Sequence, residues 1–559
     1  MAEIRAVCVW VASLLARVRT IALDSHRDSG WPSMAMAAVG ATLLGSSFIL
    51  GLSSGMDRTL AGPLDTRVLQ IASALSDVTY ELNMRYALHG RIADTLLAGG
   101  MSEVPVNYKS AGLSHPEYFT DAERWNQLLQ KAATGSLSHN VSVMDGTLRF
   151  IQTEDLGLVD FYKLSFRLFG YKIQGFFYTY FLLLLVSVAL LFAAFWTRPG
   201  VLLAANALLF GLFISVCAVS LPGTMSYPTV ASGRFFGTLA LFAALHLVLI
   251  LWAPPPSSRL CIGLAVAQAL FLGFVITMRS NVMWVVILVL LSVLTLVAWH
   301  ARCSWKTVML GEFARSMLTW PMISVVLACA AVPAYQRIIM HPGYTVLEET
   351  HPGHFFWHSL AYGLGLGDVE SVMPEIAGER DDRLGSALGN AYLKQTTGFE
   401  HPNISMYYAS NLFPGLGRPR AYERVVRSAF LDFALKHPGY LLRLTFITKP
   451  RLIARLFYQS SKEVFRRYWL LIAGAGLLLG IASRVVLRSA SSLDDFKFTL
   501  LVTAGLLCGS LLPAFAAYPL MQSMGDAFAF FYALLASVSL IELARMRHRP
   551  ATGGPFSRT

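Results

Sequence analysis

Charge is scarce along this chain. Asp, Glu, Lys and Arg make up 14% of its 559 residues and hydrophobic residues 55%, a balance far from that of a soluble globular domain. Such a chain has bilayer as its main solvent. Cysteine is also scarce: Cys8, Cys217, Cys261, Cys303, Cys329 and Cys508 are the six present, and all lie in apolar stretches or on the expected inner side. A disulfide framework in the long polar segments is thereby excluded, and the lack of a CxxC pair leaves no thiolate metal site. The N-terminal stretch carries Arg5, Arg17, Arg19 and Arg27 and lacks the short uninterrupted apolar region of a cleavable signal peptide. It reads as an amphipathic cytosolic helix lying on the membrane. Internal repeats, low-complexity tracts and an HExxH motif are missing as well. Gly363, Gly365 and Gly367 have no strand-to-helix context for a nucleotide, so they read as close-packing or turn glycines.

What the chain does have is length of apolar sequence. A span needs roughly 20 apolar residues to cross about 30 Å of hydrocarbon. About ten stretches meet that requirement, near 34–52, 175–196, 201–221, 233–252, 260–278, 281–299, 316–335, 468–487, 498–518 and 526–544. Cationic loops stay on the cytoplasmic side. With the N-terminus inside, the inner loops hold Arg198, Arg259, Arg302, Lys306, Arg315, Arg484, Arg488 and Lys497, and the tail adds Arg545, Arg547 and Arg549. The opposite short loops hold little more than Arg234 and Arg279.

The expectation is an all-α polytopic membrane bundle of about ten spans with two large outer-face loops containing interfacial amphipathic helices. Its parts are a cytosolic amphipathic N-terminus (1–33), a first span (34–52), an outer loop (53–174), a six-span block (175–335), a second outer loop (336–467), a three-span block (468–544) and a basic cytosolic tail (545–559). The host is a cell membrane, above all a bacterial inner membrane, and both termini are cytosolic. The net charge of +12 follows from this topology, with basic residues against lipid headgroups and no nucleic-acid partner.

Loops this long have structure or function of their own. In the first, Leu69, Ile71, Leu75, Val78, Leu82 and Ile92 give residues 64–97 helical periodicity, while 104–147 reads as turn-rich and polar. Around 155–172, aromatics alternate with Lys163, Arg167 and Lys172, which suits rings half immersed at the headgroup interface. The second loop opens on a His-rich stretch from Glu348 to Asp368. It closes on two predicted helices, Ala421–Lys436 and roughly 440–460, split by His437-Pro438-Gly439. The latter carries Arg443, Lys449, Arg451 and Arg455 beside apolar residues, a basic amphipathic surface for the outer leaflet.

Asp57, immediately after the first span, is the first candidate for chemistry. A carboxylate at headgroup depth can deprotonate an acceptor hydroxyl as it attacks a sugar carbon, with a nearby cation holding the leaving phosphate. A solvated residue ending a helix is the plain alternative, and Asp65 and Asp77 are weaker substitutes. Arg279 sits in a short loop between two apolar spans, where it either snorkels or points a guanidinium fork at a phosphate. His351, His354 and His358 share a stretch in which His354 and His358 are four apart. Three ligands for zinc could be assembled with Glu348 or Glu349. Hydrogen bonding to sugar or phosphate in an aromatic-lined cleft with Trp357 explains the same composition, and no metal is assigned.

This layout, with Asp57 near the first span and large loops on one side, resembles the GT-C superfamily of membrane glycosyltransferases. The resemblance covers topology over most of the chain. It implies a sugar linked to polyprenyl phosphate as donor, a glycan, lipid or protein acceptor on the outer face, and no cofactor. Asp57 would be the base, with Arg279 and the cations Arg443, Lys449 and Arg451 facing the lipid phosphate. Asp57 is followed by Arg58 where the family pattern has a second acidic residue. Two other classes share the layout: a transporter or flippase of lipid-linked or small polar substrates, and a polymerase or ligase of lipid-linked glycans. A membrane scaffold without activity is the bland reading.

Overall fold

Hydrocarbon offers no partner for backbone N–H and C=O groups, so long apolar runs close their hydrogen bonds internally as helices. The computed structural model describes residues 30–57, 64–79, 86–89, 92, 95–96, 122–137, 148–149, 156–221, 234–252, 259–279, 282–304, 319–340, 356–379, 383–398, 418–516 and 524–548. The regular structure among them is helical, apart from one two-residue antiparallel pairing of β1 (Leu88–His89) with β2 (Leu148–Arg149). The first apolar run forms α1 (Gly30–Ser53). In the first long segment lie α2 (Leu64–Thr79), α3 (Ala122–Leu137) and α4 (Leu156–Phe169). Then follow α5 (Gln174–Ala194), α6 (Pro199–Val219), α7 (Ala240–Trp252), α8 (Arg259–Met278), α9 (Met283–Ser304) and α10 (Thr319–Ile339). The second long segment holds α11 (Phe356–Tyr362), α12 (Arg383–Thr397), α13 (Arg418–Lys436) and α14 (Pro438–Arg443). The chain returns through α15 (Lys449–Val486), α16 (Ala490–Ser510), α17 (Leu512–Ala516) and α18 (Gly525–His548).

Each of the ten apolar stretches carries a helix. Among the described residues, seven helical segments are long and apolar enough to cross a bilayer, and two apolar ones, Phe235–Leu251 and Met283–Ser292, are shorter. The hub is α6, whose residues from Gly200 to Val219 are all buried. Burial along its whole length puts protein on every side of α6, which packs against α18, α1, α15 and α16. Small residues permit these close approaches, as in other membrane bundles. A Cβ at Gly211 would sit 2.0 Å from the Ala529 carbonyl oxygen, and one at Gly200 would sit 2.1 Å from that of Ser492. Gly211→Ala must therefore push α18 away, a strain of about 1–3 kcal/mol. Unfolding of the purified protein in detergent should show that loss, whereas Gly45→Ala, with nothing near its Cβ, should leave the midpoint in place.

Polar links fix the register between helices. Asn206 of α6 donates to the Met36 carbonyl of α1 at 2.9 Å, and Ser220 donates to the Met56 sulfur at 3.9 Å. Hence α1 and α6 run parallel. Ser215 donates to the Gly525 carbonyl at 3.1 Å, and Gly157 packs on Thr277 and Met278. Together these contacts bring the C-terminal ends of α1, α6 and α8 and the N-terminal ends of α5 and α18 to one end of the bundle, here the Asp57 end. Arg198, Arg484 and Arg488 lie at the other.

The two long segments behave differently. Residues of α2, α3 and α4 belong to the main hydrophobic cluster, so the first segment is docked on the bundle. The second has its own core, in which Ala361, Leu364, Leu384, Leu388, Val426 and Phe433 meet.

Three local expectations change. Residues 122–137 are helical, not turn-rich, with Ala122, Trp125, Leu129, Ala132 and Ala133 buried on one face. The aromatic stretch before the second span is not half immersed: Phe161, Tyr162 and Phe166 of α4 are buried against protein. The helix expected over roughly 440–460 does not end there. After α14 and a π-helical turn at Leu444–Thr448, α15 continues for 38 residues with a kink at Tyr468. At about 1.5 Å per residue that is roughly 57 Å, against about 30 Å of hydrocarbon, so the basic first half of α15 projects beyond any apolar slab that its second half crosses.

Candidate functional site

At the end of α1 the chain turns through Gly55, whose φ of +79° is the left-handed conformation that ends helices with little strain when no Cβ is present. The Gly55 N–H donates to the Leu52 carbonyl at 3.1 Å and that of Met56 to the Gly51 carbonyl at 3.0 Å. Met56 is buried beside Ser220. That anchor fixes the next residue: Asp57 is only 7% exposed, a carboxylate held inside the rim of the bundle.

Arg279 follows α8, with its N–H bonded to the Val275 carbonyl and its carbonyl accepting from Val282. Its neighbours Met278 and Val282 are fully buried, so its guanidinium starts from a rigid base at the Asp57 end. A further acid there was missed in the sequence. Asp526 opens α18, fully inside the protein at 2% exposure. Trp284 Nε1 donates to its Oδ2 at 3.0 Å and the Ala527 N–H to its Oδ1 at 2.9 Å. The available signal was an Asp after Met524-Gly525, heading an apolar run.

The densest charged group joins the first segment to the bundle. Lys163 of α4 pairs with Asp77 of α2 at 2.9 Å and with Asp160 at 2.7 Å, and its ammonium lies 4.5 Å from the centre of the Tyr86 ring. Asp160 Oδ2 also accepts from the Tyr86 hydroxyl and from Gln336 of α10, each at 2.8 Å. Gln336 reaches on to Thr277 of α8 at 3.2 Å. Tyr86 itself has φ +74°, a conformation unusual for a side chain of that bulk, and Ser73 donates to its carbonyl at 2.8 Å. Burial raises the Asp77 carboxyl above its ordinary 3.8 although Lys163 pulls it down. Burial works against the Lys163 ammonium, yet Asp160 and Asp77 outweigh it and its value is raised. Burial also raises the Tyr86 phenol, with the negative charge of Asp160 adding to it. These bonds brace α2, α4, α8 and α10 together, and they leave one buried Asp77 oxygen, Oδ1, outside the network.

In the second segment, Glu423 of α13 caps the N-terminus of α11 from outside its own helix. Its two oxygens accept from the N–H groups of Trp357 and His358 at 3.0 and 3.1 Å. Burial raises this carboxyl above its ordinary 4.5, against the two N–H bonds that lower it. His358 is buried and its Nδ1 meets the Tyr422 hydroxyl at 2.7 Å. The Arg427 guanidinium lies 5.7 Å from the centre of the Trp357 ring, and the Phe430 ring 5.9 Å from it. His358 and Trp357 are thus parts of a small packed core. Glu423→Ala leaves two orphan N–H groups, a loss of about 0.5–2 kcal/mol, and should show as faster amide exchange across 356–366 while the exchange of α6 is unchanged.

Of the other sequence candidates, His351 and His354 lie outside the described residues. Arg443 and Arg451 are exposed. Lys449 is buried at 3% exposure and donates to the carbonyls of Phe515 and Ala516 at 2.6 and 3.2 Å, which ties the start of α15 to the end of α17. Among the described residues there is no cluster of three or more His, Cys, Asp or Glu side chains that could hold a metal.

The class is that of an all-helical chain with several membrane-length apolar helices. Comparison with protein families, curated proteins and solved structures returns no match.

Proposed function

We propose that the chain is a multi-pass membrane glycosyltransferase that moves a sugar from a polyprenyl-phosphate donor to a glycan, lipid or protein acceptor. The observation that carries this reading is Asp57, a carboxylate buried at the end of the first long apolar helix, at the same end of the bundle as Arg279. The ten-span topology, with both termini cytosolic and the Asp57 end outside, belongs to the same proposal.

Asp57 takes the proton of the acceptor hydroxyl as its oxygen forms the new bond to the anomeric carbon. The bond from that carbon to the phosphate oxygen breaks in the same displacement. Polyprenyl phosphate leaves, and Arg279 meets its charge with paired N–H donors. Arg443 and Arg451, exposed near the start of α15, draw the lipid phosphate towards this end.

One observation favours a transporter or flippase instead. Inside the bundle, Gln268 of α8 donates to Ser187 of α5 at 2.7 Å, and His246 of α7 is fully buried. Polar groups at such depth are what transporters use. Proteoliposomes loaded with a polyprenyl-phosphate sugar and host membrane acceptors separate the readings. Release of polyprenyl phosphate with transfer of label supports the enzyme, a ladder of products supports the polymerase, and donor recovered intact in the opposite leaflet refutes both.

A further inference from the structure

Away from the Asp57 end, the last turns of α15 and α18 enclose a cleft of about 140 Å³. Gly480, Ser483 and Arg484 of α15 line it together with Leu487 and Arg488, which directly follow that helix, and on α18 Leu543 and Ala544 close it. Gly480, Ser483 and Arg484, spaced by three and four residues, share one face of α15, and Leu487 and Arg488 meet the same cleft from the turn after Val486. Gly480 is the reason there is room, since nothing lies within 4 Å of where its Cβ would be.

Both arginines are exposed, and no acidic side chain among the described residues pairs with either. The nearby acids are engaged elsewhere: Glu542 with Arg545 at 2.7 Å, Asp494 with Lys497 at 3.4 Å, and Asp495 is drawn to Arg198. Beside the cleft, Leu477, Leu478, Ile481, Leu543 and Met546 are exposed apolar side chains on the same two helices. A surface that sets two uncompensated guanidinium forks at the end of an apolar wall matches a molecule with a phosphate at one end and hydrocarbon at the other.

The geometry points to a binding site for one anionic glycerophospholipid, its phosphate between Arg484 and Arg488 and its acyl chains along Gly480 and the wall formed by Leu477, Ile481 and Leu543. The site rests on the membrane-spanning character of α15 and α18 and is independent of the reaction at the Asp57 end. Arginines that merely complement the C-terminal end of a helix need no cleft, and this distinguishes the two roles experimentally.

The test is native mass spectrometry of the full chain in detergent, with phosphatidylglycerol, phosphatidylcholine of the same acyl length, or inorganic phosphate added. Wild type should retain one phosphatidylglycerol and not phosphatidylcholine. Arg484→Gln with Arg488→Gln should weaken it roughly thirtyfold, at about 1 kcal/mol per basic residue. Gly480→Leu, which fills the cleft and keeps both charges, should weaken it too, and Leu543→Trp fills it from α18 should Gly480→Leu fail to fold. Equal retention of both lipids would overturn the site. So would phosphatidylglycerol binding that survives the arginine or cleft-filling variants, displacement by inorganic phosphate alone, or a second copy of the chain occupying the cleft instead.

Discussion

Asp57→Asn membranes are expected to transfer sugar from a polyprenyl-phosphate donor about 10²- to 10⁴-fold more slowly than wild type, the contribution a positioned general base makes. Asparagine keeps the shape of the side chain and its place after the buried Met56, so the helix end at Gly55 and the packing on Ser220 survive. What it loses is the capacity to accept a proton. The loss should appear in kcat, with donor KM little changed, because the base acts on the acceptor in the transition state. Arg279→Ala should behave differently. Removing a charge-assisted hydrogen bond to the phosphate costs about 1.5–3 kcal/mol, or roughly ten- to a hundredfold in kcat/KM, with the donor KM rising. Initial rates over a range of donor concentrations separate the two signatures. Equal activity of both variants and wild type would remove the enzyme reading.

The second large effect concerns stability. Lys163→Met should destabilise the protein by about 3–5 kcal/mol, because it leaves Asp77 and Asp160 buried or half-buried without their common cation. Thermal unfolding in detergent measures this, and adding Asp77→Asn and Asp160→Asn to the same variant should recover most of it, since the uncompensated charges are then gone. The pH dependence of wild type has a definite sign. The folded state raises the Asp77 carboxyl above 3.8, so it binds that proton more tightly than the unfolded chain, and this site loses stability as pH rises from 3.8 through the raised value. Lys163 is raised above 10.5, so its contribution is full below 10.5 and is lost as pH climbs through the higher folded value. In Lys163→Met the Lys163 share of the alkaline loss should vanish, leaving the part that the raised Tyr86 phenol contributes, and the Asp77 loss should deepen.

The apolar helices were legible because their signal is length and composition, which the bilayer requirement makes nearly local. The places of Asp57 and Arg279 at helix ends were legible for the same reason, since they end such runs; the burial of Asp57 was not. The elements that were misread depend on distant partners or on weak apolar residues. The core face of α3 is made chiefly of alanines, with Trp125 and Leu129, which in a polar setting resembles a turn-rich stretch. Cations interleaved with rings in α4 suggest an interface, but Lys163 finds Asp77 86 residues away in sequence and that pairing draws the helix into the protein. The charged run Lys462-Glu463-Val464-Phe465-Arg466-Arg467 looks like a boundary between loop and span. Lys, Glu and Arg are good helix formers, so α15 runs through it and bends only at Tyr468. Asp526 was invisible because an Asp heading an apolar run looks the same whether it is solvated or, as here, buried beneath Trp284.

The most direct measurement is a structure of the full chain with polyprenyl phosphate bound. Density for the phosphate at the Asp57 end of the bundle, within hydrogen-bonding reach of Arg279 and open to the Asp57 carboxylate, is the result expected. Phosphate density confined to the opposite end, or beside His246 within the bundle, would contradict the assignment of the chemistry to Asp57.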